Sequence, residues 1–160
     1  MKMSIAIPCY EYNGRGVRYL SELFHSIQRQ TLKDVEVVVS DQSNDDEIQN
    51  FCFDNIFDLK IAYFRNKNGR GNAALNTNAA MEICTGEVVK LIYMDDFFYT
   101  ADALQKTYDA LINSDKMWLV CGTNHTRDEG KTFDHPIYPR WNDRMLKARG
   151  NNTMSGTSVI

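Results

Sequence analysis

Apolar and polar positions along the chain change period several times. Residues 3–10, MSIAIPCY, form a short apolar run broken by Pro8, which predicts a first strand. After the polar loop EYNGRG, Val17, Leu20, Leu23, Phe24 and Ile27 recur at helical spacing, with Ser21, Glu22, Gln28 and Arg29 on the opposite face. Val35, Val37, Val38 and Val39 are a near-continuous β-branched run, the pattern of a strand buried on both faces. It leads into Ser40, Asp41 and a turn-rich cluster. Residues 47–56 predict a second helix and KIAYF a third strand. NGRGNAALNTNAAMEICTG reads as a glycine-rich opening to an alanine-rich helix that stops at Gly86. EVVKLIYM predicts a fourth strand, and Thr100 is a candidate cap for a helix striped by Leu104, Tyr108, Leu111 and Ile112. MWLVCG predicts a fifth strand.

This alternation of strand and helix predicts an α/β fold with a mostly parallel central sheet flanked by helices. Ligands of such sheets collect where strands end at their carboxyl edge. Those ends carry Pro8 to Tyr10, Asp41 to Ser43, and the pair Asp95 and Asp96. Three polar clusters are therefore expected on one rim.

Composition narrows the options. The 160 residues suit a single core, and 43% apolar with 24% charged residues is ordinary for a soluble globular chain. The net charge of −3 lacks the basic footprint of a nucleic-acid enzyme, so no nucleic-acid partner is expected. Cys9, Cys52, Cys84 and Cys121 are far apart with no CxxC pair, which predicts reduced buried thiols. No apolar run reaches the ~18 residues of a membrane span, and the N-terminus turns polar too soon for a signal peptide. The expected location is the cytoplasm, with attachment to the cytoplasmic face of a membrane left open.

LIYMDDFFYT places Asp95 and Asp96 directly after the fourth strand. Adjacent carboxylates repel at close range unless a cation joins them, and hard oxygen donors suit Mg²⁺ or Mn²⁺ with phosphates completing the shell. Acids favoured at a positive helix start are the competing reading. YMDD is also a polymerase signature, but a polymerase palm needs that turn in an antiparallel hairpin, and no second apolar strand follows at hairpin distance. A nucleotidyltransferase would want its glycine-rich phosphate loop straight after the first strand, whereas PCYEYNGRG has its glycines too late.

Taken together, SIAIPCYEYNG, LSELFHSIQRQTLKDVEVVVSDQSND, NGRGNAALNTNAAMEICTGEVVKLIYMDDFF and TADAL resemble the family 2 glycosyltransferases, over about residues 4–104. The resemblance implies a GT-A, Rossmann-like nucleotide-sugar-binding fold and transfer of a sugar from a nucleotide-diphosphate donor (UDP, GDP or dTDP) to a glycan, lipid or protein acceptor. It implies a metal-dependent and inverting reaction with Mn²⁺ or Mg²⁺. By the same resemblance Pro8, Cys9 and Tyr10 line the base pocket, Asp41 accepts from the base or ribose, and Ser43 supports that turn. Asn68, Gly69 and Arg70 form a loop over the nucleotide, and Asn72 and Asn76 lie by the diphosphate. Asp95 meets ribose or metal, and Asp96 binds the metal.

Two positions depart from the family pattern. Glu11 replaces the usual Asn, and Tyr93 stands where many members have the first Asp of a D-x-D motif. Residues 1–115 are expected to be the donor-binding part, and 116–160 the opening of an acceptor-side region cut short at Ile160 in a new strand. RGNNTMSGTSVI resembles a segment that precedes that region in relatives, so the catalytic base is expected beyond Ile160 and none is named here. A donor-binding module or inactive fragment is the alternative. His125 and His135 are candidate further metal ligands, against ordinary loop histidines. His25 reads as structural. Asp128, Glu129 and Asp134 read as loop charge. PIYPRWNDRMLKARG reads either as an acceptor-side aromatic and basic patch or as a packed helix.

Overall fold

The structure, a computed structural model, describes residues 1–127, 131–134 and the strand backbone at 158–159. The elements in chain order are β1 (Met3–Cys9), α1 (Gly16–Gln28), β2 (Val35–Asp41), α2 (Glu47–Asp54), β3 (Ile61–Arg65), α3 (Ala73–Glu82), β4 (Val88–Leu91), α4 (Ala103–Ile112), β5 (Leu119–Val120) and β6 (Ser158–Val159). The sheet order is β3-β2-β1-β4-β6-β5. Strands β1 to β4 run parallel, while β6 pairs antiparallel with both β4 and β5.

Every residue of β1 is buried, as is all of β2 after Val35. That is why their apolar runs do not alternate: helices cover both faces. Right-handed crossovers place α1 and α2 on one face and α3 on the other. On the first face Ile5, Ile7, Val37 and Val39 pack with Leu20, Leu23, Phe24 and Ile48. Phe24 anchors this layer, its ring 5.5 Å from Phe51 and 5.8 Å edge-on to Phe57. The opposite face is built from smaller residues, with Ala6, Val38 and Ala80 all fully buried. At the amino edge, a Cβ on Gly86 would lie 2.5 Å from the Ser4 nitrogen and 2.7 Å from the Met3 carbonyl carbon. Only glycine lets the chain enter β4 this close to β1.

Element boundaries differ from the sequence reading in local ways. Strand β4 ends at Leu91, because after Ile92 donates to Ala6 O at 3.1 Å the chain turns, with Asp96 N bonded to Tyr93 O. The N-cap position of α4 is Asp102, without a side-chain cap bond, rather than Thr100, whose hydroxyl donates to the Asp102 carboxylate at 2.7 Å. Helix α2 stops at Asp54 because Asn55 adopts a left-handed conformation, φ 39°. Strand β5 is only Leu119–Val120. All four cysteines are free; Cys9 and Cys52 are buried, and Cys84 and Cys121 half-buried.

Candidate donor-binding site

Parallel register sets Cys9 beside Asp41 and Asp41 beside Arg65, so three strands end in one row. Around this row the turn after β2, the loop after β3 and the start of α3 are tied together by side chains.

Asp41 is fully buried. Its Oδ1 accepts the Ser43 amide at 2.8 Å and the Ser43 hydroxyl, closing the turn. Its Oδ2 accepts the Tyr63 hydroxyl at 2.7 Å and lies 3.5 Å from Arg65 Nε. The same Nε donates to the Tyr63 oxygen at 2.8 Å. Burial, then the bond to Asp41, pushes the Tyr63 phenol far above its ordinary value. The Arg65 guanidinium also reaches Ser43 O at 3.0 Å and Asp46 Oδ1 at 3.0 Å, which brings the start of α2 into the network.

On the other face of the sheet Asn76 does a similar job. Its amide nitrogen donates to Cys9 O at 2.9 Å, and its oxygen accepts from Ser40 Oγ at 2.8 Å and Asn66 Nδ2 at 3.2 Å. Asn76 is buried, whereas Asn72 is exposed and caps α3 by accepting from Leu75 N at 3.1 Å. The loop between β3 and α3 is clasped from two sides. Gln42 Nε2 donates to Asn68 O at 2.7 Å and Gly69 O at 3.2 Å. Arg70 answers through Nε to Gln42 O at 3.1 Å and Nη2 to Ser43 O at 2.7 Å. Gly69 and Gly71 carry φ of 57° and 77°, which explains the glycines of this loop.

Pro8 is buried and the Cys9 thiol is enclosed, its pKa raised well above the ordinary value by burial. Tyr10 follows them at the rim and is 36% exposed. Next to it, Glu11 N donates to Ser43 Oγ at 2.8 Å, while the Glu11 carboxylate accepts Arg15 N at 2.9 Å and Gly16 N at 2.7 Å. The acid that replaces the family's Asn thus caps α1, whose N-cap Arg15 makes no cap bond of its own.

The loop carrying Asp95 and Asp96 is held from below by the end of α1. Ser26 Oγ accepts Phe98 N at 3.1 Å. Gln30 Nε2 donates to Thr100 O at 2.9 Å, and its Oε1 accepts Leu104 N at 3.0 Å. Thr31 N bonds Ala101 O at 2.8 Å. Both carboxylates reach solvent, yet the surrounding protein strips part of the hydration of Asp96. That desolvation, and then the charge of Asp95, raise the Asp96 carboxyl; Lys90 and His125 pull it back. Lys90 is buried, and burial lowers its ammonium pKa. Two exposed hard oxygen donors fit a Mn²⁺ or Mg²⁺ ion that takes the rest of its shell from phosphate and water. Among the described residues, no group of three or more His, Cys, Asp or Glu side chains is placed to hold a metal.

Ser26, Gln30, Gln42, Tyr63, Arg65 and Asn66 were not singled out from sequence. The QRQT at the end of α1 was the one signal pointing to Gln30. His135, Asp128, Glu129, residues 136–150 and most of RGNNTMSGTSVI lie outside the described residues. Asp134 is exposed, its amide bonded to His125 O at 2.9 Å.

The model of the family described as Glycosyl transferase family 2 matches residues 4–159. A GalNAc(5)-diNAcBac-PP-undecaprenol beta-1,3-glucosyltransferase of Campylobacter jejuni is 33% identical over 99 residues, 59% of this chain and 30% of the relative. An uncharacterized glycosyltransferase of Nostoc sp. is 29% identical over 141 residues, 84% of this chain and 40% of the relative. The chain therefore spans well under half the length of these curated relatives. Among solved structures, S. aureus TarS 1-349 in complex with UDP-GlcNAc superposes with a TM-score of 0.63 at 24% identity, over 75% of this chain and 34% of that one. The mannosyltransferase PcManGT of Pyrobaculum calidifontis, in complex with GDP-Man and Mn²⁺, gives 0.62 at 22%, over 80% and 37%. At these identities the two structures speak for the fold. Among the described residues no helix is long and apolar enough to cross a membrane.

Proposed function

Because the chain belongs to glycosyl transferase family 2 and carries a GT-A fold, we propose that residues 1–115 bind the nucleotide-diphosphate sugar of a glycosyltransferase, and that 116–160 open its acceptor side. One observation carries this reading. The register Cys9–Asp41–Arg65 and the anchored loop of Asp95 and Asp96 bring three strand ends and a pair of carboxylates to the same edge of one sheet.

In this reading Tyr10 packs against the base, supported by Pro8 and Cys9. Asp41 and Ser43 shape the turn beneath the base, with Asn68, Gly69 and Arg70 covering the nucleotide. Asn72 lies by the diphosphate at the amino end of α3, where the helix dipole favours anions, and Asn76 holds that end in place. Asp95 and Asp96 hold Mn²⁺ or Mg²⁺ against the diphosphate, and a metal bound there supplies charge stabilisation for the departing nucleotide. The Asp96 carboxyl is raised first by loss of hydration and then by the Asp95 charge, and a cation placed between the two carboxylates would relieve the second of these. Transfer is by direct displacement with inversion, for which a general base must take the acceptor proton. The Campylobacter relative is named for an undecaprenol-linked acceptor; an acceptor of that kind fits a cytoplasmic protein working at a membrane face.

The test is calorimetry with UDP, GDP and dTDP, with and without Mn²⁺, on the protein and on Asp96→Ala. One nucleotide should bind in a metal-dependent way, and the variant should lose the metal-dependent part. A well-folded sample that binds none of the three would overturn the donor-site reading.

A further inference from the structure

Phe97, Phe98 and Tyr99 follow the acid pair directly. Phe98 turns into the core, where it is 8% exposed and its amide is held by Ser26 Oγ. Its two neighbours turn outward. Phe97 is half-buried and Tyr99 is 73% exposed, and both meet Phe133, with ring centroids 6.4 Å and 4.6 Å away. The Tyr99 and Phe133 planes are tilted by 65°, so these rings meet edge to face and most of Tyr99 stays open. Phe98 belongs to the hydrophobic core cluster, and these three rings do not. Aromatic rings gathered on a surface in this way mark a contact site. Asp134 N, bonded to His125 O at 2.9 Å, ties the Phe133 segment to the loop after β5.

The place of the cluster on the rim bears on what it meets. Along the sheet the end of β2 comes first, then β1, then β4 with its acid loop, and beyond β6 the loop after β5. A donor laid along this edge, with its base at β2 and its diphosphate at the acids, extends its sugar toward β5. In a direct displacement the acceptor approaches that sugar from the side away from the departing diphosphate. The aromatic cluster stands on that side.

Charge narrows the occupant. Asp95, Asp96 and Asp134 are exposed beside the rings and outweigh the single cation of the 131–134 segment, Lys131. They oppose an anionic lipid surface or a phosphate. A neutral ring rich in hydroxyls meets no such opposition. The C–H groups on one face of a pyranose lie against the negative face of an aromatic ring, and hydroxyls at its edge can donate to a carboxylate such as Asp134.

We propose that Phe97, Tyr99 and Phe133 form a stacking platform for a sugar ring of the acceptor, which makes the acceptor a glycosylated molecule rather than a bare lipid or protein. The inference rests on the donor-site reading above.

Saturation-transfer NMR on the full-length protein tests this. The probes are the methyl glycosides of glucose, galactose, N-acetylglucosamine and N-acetylgalactosamine. Irradiating the aromatic protons should pass magnetisation to the ring C–H protons of at least one of them. Sorbitol, which has hydroxyls but no ring face, should receive none. Tyr99→Leu keeps an apolar side chain and removes the ring; affinity for that pyranoside should weaken about three- to tenfold, by the worth of one aromatic contact. Tyr99→Phe keeps the ring and should keep the affinity. Tyr99 is exposed, so both variants should fold, which circular dichroism checks. No transfer to any pyranoside, equal transfer to sorbitol, or unchanged affinity in Tyr99→Leu overturns the proposal. So does binding of neutral vesicles carrying a polyprenyl phosphate that Tyr99→Leu abolishes while no pyranoside binds, which would make the cluster a lipid site. Calorimetry with UDP, GDP and dTDP on the unmutated protein separates the two readings. Absence of any nucleotide binding defeats the donor-site reading and the acceptor role with it, whereas nucleotide binding without pyranoside stacking defeats the platform alone.

Discussion

Asn76 shows how one residue can govern the rim without touching a ligand. Its side chain joins the end of β1, the end of β2 and the loop after β3 through three hydrogen bonds. Only an amide can do this, because the position needs one donor toward Cys9 O and one acceptor shared by Ser40 and Asn66. Leucine has the same branched arrangement of side-chain heavy atoms and satisfies none of them. Cys9 O keeps a bond from Gln42 N at 3.0 Å, but Ser40 and Asn66 lose their acceptor in a buried place. Asn76→Leu is expected to cost about 2–4 kcal/mol, from orphaned groups at 1–3 kcal/mol each. A urea midpoint that barely moves would show that water or a shifted side chain satisfies these groups. The resemblance put Asn76 beside the diphosphate by its place near the start of α3. Its inward direction was not readable, since its partners lie 36 and 67 positions away in the chain.

At the scale of elements, the joint between α1 and the acid-bearing loop is a hinge made rigid. Gln30 is 1% exposed and follows a helix whose last residues, read by composition alone, look like polar surface. Its amide spans from Ser26 O at 3.1 Å to Thr100 O and Leu104 N, 70 and 74 residues on. That distance in sequence explains why strands and helices were legible while the joint was not. Periodicity reports which face of an element is buried, and Val35 to Val39 report it clearly; it carries no information about a long-range amide. Gln30→Ala removes the bonds to Thr100 O and Leu104 N together. Stability should fall by about 1–3 kcal/mol, and the loop of Asp95 and Asp96 should lose its fixed height above the rim. If Asp96 holds the metal, the Mn²⁺-dependent part of nucleotide binding should weaken several-fold, and binding in the absence of metal should change less. Calorimetry with and without Mn²⁺ separates the two, and equal losses in both would mean that Gln30 supports the whole rim rather than the acid loop.

Across the whole molecule the sheet has two ends with different duties. The carboxyl end carries the loops, with Asp41 buried and Asp95 and Asp96 exposed. The amino end is sewn shut around Glu36, whose Oε1 accepts from Ser4 Oγ, Thr85 N at 2.7 Å and Thr85 Oγ1 at 2.8 Å. Ser4 Oγ in turn accepts Gly86 N at 2.7 Å, so β1, β2 and the entry to β4 meet at one carboxylate. Glu36 sits inside the valine run that predicts a strand buried on both faces, and β2 is interior with Glu36 5% exposed. Burial alone would raise its carboxyl; the bonds from Ser4 and Thr85, helped by the Lys60 charge, outweigh it and hold the pKa below the ordinary value. A carboxyl with a lower pKa in the folded than in the unfolded chain binds its proton more weakly when folded. Its stabilisation is therefore complete above the unfolded pKa and drains away as pH falls through the folded one. Glu36→Gln keeps an acceptor oxygen and the volume but removes the charge that titrates. The stability gap between the protein and this variant should be widest near neutral pH and close on acidification below the ordinary glutamate range. Urea titrations from pH 7 down to about pH 3, where glutamates near pKa 4.3 become protonated, measure that gap. A gap that stays constant across the series would mean that Glu36 contributes shape and hydrogen bonds alone, and that the acid sensitivity of the fold comes from other carboxylates.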